Sequence, residues 1–177
     1  MNEVKPDTQT TEEPVLSDQQ MQMAMDSLRS EQNILAGALA GLAAALLGAG
    51  VWAVVTAMTE YQIGWMAVGI GVLVGFSVRF AGKGVDQTFG FAGATLSLIG
   101  CVVGNILTIT YFVAVNKGMA FMDILVQLNP GIIYEMLTST FEIIDVLFYG
   151  LAGYFGYKYA FRQVSDEDFD RALGKAP

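Results

Sequence analysis

The chain has 177 residues, a formal net charge of −8, 54% hydrophobic residues and 20 glycines, with a mean hydropathy of +0.49. That apolar content exceeds the roughly 45–50%, glycine included, of soluble domains; it points to lipid as the solvent, and the acidic balance excludes a nucleic-acid binder, which needs clustered Lys and Arg. No histidine is present and Cys101 is the only cysteine, which removes the commonest zinc ligand, any intrachain disulfide and the histidine-based catalytic constellations, so no metal, cofactor or enzymatic activity is expected.

Residues 1–16 are acidic and polar, carry Pro6 and Pro14 and lack apolar periodicity, a composition that predicts disorder. No basic n-region leads into an early apolar run, so no secretory signal is expected. Ser17 followed by Gln20 has the form of a capping box, which predicts a helix over 17–33. Met21, Met25, Leu28 and Gln32 share one face of it, and it is expected to lie on the cytoplasmic side or at the interface as an extension of the first span.

Four apolar stretches follow, at about 34–58, 61–80, 89–115 and 141–161. Each approaches the roughly 20 residues that cross a hydrocarbon core of ~30 Å. The stretch 61–80 is the shortest, with Tyr61 and Trp65 as interface aromatics at one end and Arg79 and Lys83 at the other. With the N-terminus inside, Lys5, Arg29, Arg79, Lys83, Lys158, Arg162, Arg171 and Lys175 are cytoplasmic and only Lys117 is outside, eight against one. The positive-inside rule therefore places both termini in the cytoplasm.

Between the third and fourth stretches, Asn116, Ala120, Asp123 and Gln127 trace a polar or small face among apolar neighbours. This pattern predicts a short amphipathic helix in the outer interface. Asn129 and Pro130 suit an N-cap and first helical position, and nothing in the sequence interrupts a helix from there to residue 161. Residues 163–177 form an acidic cytoplasmic tail. The expected fold is an all-α, integral membrane four-helix bundle over 34–162, with the interfacial amphipathic helix before the last span.

Every span carries small residues at three- and four-residue steps: Gly37, Gly41 and Gly48; Gly64, Gly71 and Gly75; Gly93, Gly100 and Gly104; Gly150, Gly153 and Gly156. Helices in lipid associate through close backbone packing at such stripes, either inside one bundle or between copies. Spans one and three also repeat a spacing, with Gly41, Gly48 and Thr56 matched by Gly93, Gly100 and Thr108.

Glu135, Thr138, Glu142, Asp145 and Tyr149 fall on one face of a continuous last helix. A carboxylate at mid-membrane costs ~2.5–3.5 kcal/mol on insertion scales and faces protein or water. Glu135, Glu142 and Asp145, with Asn105 and Thr108, and Lys117 just outside the third span, as partners, are thus candidates for an ion or proton site. The other reading is a wet helix start, where carboxylates favour the N-terminal end. Arg79 and Lys83 flank a glycine-bounded turn that lacks the P-loop pattern. They are candidates for a lipid-phosphate or anion contact, with Arg79 also placed to pair with Asp86 across the loop.

The run YQIGWMAVGIGVLVGFSVRFAGKGVDQTFGFAGATLSLIGCVVGN, residues 61–105, resembles a segment of bacterial inner-membrane proteins with four predicted spans and no assigned activity. The similarity extends over about 31–162 and is most specific at 62–65 and 82–86. It implies a bacterial inner membrane and carries over no functional residue. The expected function is that of a non-catalytic multi-pass protein acting in the lipid bilayer through self-association, as a homo-oligomer, or as a subunit with a membrane-protein partner. The competing expectation is a small oligomeric cation or proton channel or transporter using the acidic face of the last helix.

Overall fold

A computed structural model describes residues 17–174, so the expectation of disorder over 1–16 lies outside the described residues. Among those residues the fold is all-α, with no strand. The elements are α1 (Asp18–Ser30), α2 (Ile34–Thr59), α3 (Trp65–Gly82), α4 (Gln87–Lys117), α5 (Phe121–Leu125), α6 (Pro130–Thr140), α7 (Ile143–Tyr159) and α8 (Asp166–Ala172). Three of them, α2, α3 and α4, are long and apolar enough to cross a membrane; α7 has 17 residues. The chain divides into two compact units, residues 31–163 and the pair of terminal segments up to 30 and from 164.

In the terminal unit, Ser17 caps α1 as its sequence predicts. Its hydroxyl accepts from the Gln20 N–H at 3.3 Å, and its own N–H donates to Gln20 Oε1 at 3.0 Å. The helix buries Ala24 and Leu28 and packs on α8, which starts at Ser165 with a reciprocal cap from Asp168.

In the larger unit the helix boundaries correct several expectations. The 17–33 helix does not run on into the first span. Asn33 is extended (φ −136°, ψ 94°), and its side chain accepts from the Ala36 N–H at 2.9 Å, so α2 begins afresh. The helix after α2 starts at Trp65 rather than 61, because Glu60 takes a left-handed conformation (φ 59°) that ends α2, and the four residues after it lie outside either helix. Helix α4 absorbs Asn116 and Lys117 and stops at Gly118, whose φ of 63° a glycine adopts without a Cβ clash. The amphipathic helix expected around 116–128 is therefore reduced to the five residues of α5.

The predicted cap at Asn129 is present, its side chain accepting from the Ile132 N–H at 3.0 Å with Pro130 first in the helix. The helix it starts does not continue to 161. It ends at Thr140, with Phe141 (ψ 121°) and Glu142 (ψ 162°) both extended before α7.

Helices α3 and α4 each touch the other three of the set α2, α3, α4 and α7, whereas α2 and α7 share no contact among the described residues. The section is a rhombus with α3 and α4 on its short diagonal. Glycine contacts give the directions. Gly37 meets Gly82 and Gly48 meets Ile70, so α2 and α3 are antiparallel; Gly100 meets Ala45 and Gly104 meets Ala49, so α2 and α4 are parallel. The core holds Trp52, Ala67, Ile70, Val74, Val78, Cys101 and Ala152.

Candidate functional site

The last helix pair carries the acidic residues, and the break at Phe141–Glu142 separates them. Glu135 is exposed on α6, while Glu142 and Asp145 begin α7, so the single five-residue face expected across 135–149 does not form. The Glu142 N–H donates to Asp145 Oδ2 at 2.9 Å. One carboxylate thus occupies an otherwise unpaired amide of the first turn. Glu142 and Asp145 line an open cavity of about 350 Å³ together with Gln62, Gly64, Thr140 and Phe148.

Gln62 links that cavity to the interior. Its amide donates to Asn105 Oδ1 at 3.4 Å, Asn105 Nδ2 donates to the Tyr149 hydroxyl at 3.4 Å, and that hydroxyl donates to the Cys101 carbonyl at 3.2 Å. Asn105 is 0% exposed, so this relay satisfies an amide that would otherwise be costly to bury. The relay joins α4, α7 and the residues before α3; of the sequence candidates, Glu142 and Asp145 share the cavity with Gln62, and Asn105 is reached from it through the Gln62 amide. Thr108 is buried on α4 with no partner for its hydroxyl, and no ion pair joins Asp145 to Lys117 among the described residues. Sequence reading did not single out Gln62 as a site residue, although it is a polar residue between the aromatics Tyr61 and Trp65. It also passed over Trp52, whose indole N–H is buried without a partner.

The packing stripes are used mainly within the fold. A Cβ at Gly71 would lie 2.3 Å from the Ala152 carbonyl oxygen, and one at Gly93 would lie 2.3 Å from the Gly156 oxygen. Gly75 abuts Tyr159, Gly156 abuts Ser97, and Gly41 meets Val78 and Leu96. Gly64 faces the Phe148 ring and Gly104 the Trp52 ring. Gly153 makes only ordinary contact with Leu98, and Gly150 faces open space.

At the opposite end of the bundle, Arg79 and Asp86 do not pair. Arg79 donates to Gln163 Oε1 at 3.4 Å, and Asp86 accepts from Gln32 Nε2 at 2.8 Å. Lys83 is exposed in a left-handed conformation (φ 49°) that closes α3. The Val85 and Asp86 amides donate to Gln32 Oε1 at 2.9 and 3.1 Å, so two amides of the turn are engaged by the chain's own side chain. Asn33 N–H reaches the Gly82 carbonyl, Arg162 N–H reaches that of Gly84, and Arg162 pairs with Glu31 at 3.0 Å. Three chain segments are thereby tied together.

No cluster of three or more acidic or thiol side chains suited to a metal is found among the described residues. Comparison with known proteins gives no matching family model, no matching curated sequence and no matching solved structure. Three apolar helices of spanning length, packed through glycine, are compatible with a membrane protein.

Proposed function

We propose that the chain is a non-catalytic, multi-pass protein of the bacterial inner membrane. In this reading α2, α3, α4 and α7 are its four spans, both termini are cytoplasmic, and it acts through self-association or as a subunit of a membrane complex. The observation that carries the proposal is the outward side of α2. Leu35, Leu39, Leu47, Val54 and Met58 are all exposed, a surface that water would not tolerate on this scale but lipid does. Within that surface, Gly50 has nothing near its Cβ position. It lies in a groove of about 380 Å³ with Leu46, Leu47, Val51, Val54 and Val55. Close helix approach at a small residue supports association there.

The test is the mass of the complex extracted in mild detergent. The expected result is a defined multiple of 19.0 kDa, or that mass plus a partner, reduced when Gly50→Leu fills the groove. A single chain with no partner would overturn the proposal.

The second reading, an oligomeric cation or proton channel or transporter, is favoured by one observation. The cavity at Glu142 and Asp145 connects through Gln62 to buried Asn105. Flux into liposomes that falls in Glu142→Gln with Asp145→Asn would support it, and the absence of flux would end it.

A further inference from the structure

Among the described residues, three buried side-chain polar atoms have no hydrogen-bond partner within the protein: Trp52 Nε1, Thr56 Oγ1 and Thr108 Oγ1. Their residues are 2%, 0% and 2% exposed. Hydroxyls on other helix positions solve this problem locally by donating to the carbonyl four residues back. Ser97 does so to Gly93 at 2.7 Å, and Thr110 to Ile106 and Thr59 to Val55, both at 2.8 Å. Thr56 and Thr108 do not, so their hydroxyls remain available in the space between helices.

The register of α2 against α4 places the three within about one helical turn of each other along the seam, Trp52 first and the two threonines after it. The two helices run parallel, Gly104 lies against Ala49 and the Trp52 ring, and one turn further on come Thr56 and Thr108. Buried polar groups in a protein interior are paired with protein or with water, and in a bilayer no lipid tail can substitute.

We infer that the α2–α4 seam is a binding site for ordered water, held by the Trp52 indole N–H and the Thr56 and Thr108 hydroxyls. The indole can only donate, so the guest accepts there; each threonine both donates and accepts. One or two water molecules meet those demands with no net charge. A halide would also accept from three donors. However, α2 contains no basic residue and Lys117 is the only one on α4, roughly 13 Å along the axis from Thr108 at 1.5 Å per residue. An anion so far from a countercharge in low dielectric is strongly disfavoured.

The experiment uses the full chain, labelled with 15N, in detergent micelles, with the two indole signals assigned from Trp65→Phe. The Trp52 Nε1–H should show a cross-peak to water despite its burial. That cross-peak should fall to about half or less in Thr108→Val and Thr56→Val, and the Trp52 emission should shift to the blue in the same variants. Absence of the water cross-peak in the unaltered protein would overturn the inference without reliance on any variant. A cross-peak undiminished in the double valine variant would do the same. So would an indole signal that moves with added chloride or bromide at constant ionic strength, which would make the guest an anion.

Discussion

Individual glycines divide sharply by what surrounds them. At Gly71 a methyl group would meet the Ala152 main chain, which has no side-chain freedom with which to yield. Gly71→Ala is therefore expected to destabilise the bundle by about 1–3 kcal/mol, the range for overpacking a tight core. At Gly150 nothing lies within reach, and Gly150→Ala should stabilise by about 0.5–1 kcal/mol through helix propensity alone. Denaturant unfolding of both variants in the same detergent checks the pair, and equal effects would contradict the packing described. In the sequence both are members of the same kind of stripe. Spacing tells which glycines share a face, but the identity of the facing atom depends on the register of a second helix, which no single-chain pattern contains. The same limit hid Trp52, which reads as an ordinary apolar residue until its indole N–H is seen to be buried. Thr56 entered the sequence reading only through a repeated spacing from Gly41 and Gly48, which says nothing of its burial.

Among the helices, two ends set by side-chain caps were readable, Ser17 with Gln20 and Asn129 with Pro130, whereas the caps at Asn33 and Ser165 were not read. The ends without glycine or proline were not. The break before α7 falls in Thr140–Phe141–Glu142, and the helix restarts because Asp145 accepts from the Glu142 amide. Its identity as a capping position depends on Phe141 turning extended, which local sequence does not dictate. Asp145→Ala should cost about 1 kcal/mol and speed hydrogen exchange at the Glu142 amide. Asp145→Asn keeps an acceptor and should cost less. Hydrogen exchange of the two variants separates the cap from any role of the negative charge: a loss that is equal in both assigns the stability to charge instead.

For the molecule as a whole, the proposed orientation rests on the basic residues. Reporter fusions at Lys117 and after Lys175 should fall on opposite sides of the membrane, and the same side for both would refute the proposed four spans. The end away from Lys117 is fastened by Gln32, which accepts from two amides and donates to Asp86. Gln32→Ala should cost about 1–3 kcal/mol, because it strands donors that are partly buried; unfolding in detergent measures it.

The lack of contact between α2 and α7 has a consequence in time rather than space. A chain made from its N-terminus has α2, α3 and α4 in hand before residue 143 is synthesised. These three already contain every contact that α2 makes with the other long helices. What remains is a trough between α3 and α4, floored by Gly71, Gly75 and Gly93 and open to lipid. In that order of synthesis the expected last step is the seating of α7 in that trough, with residues 118–142 as its tether.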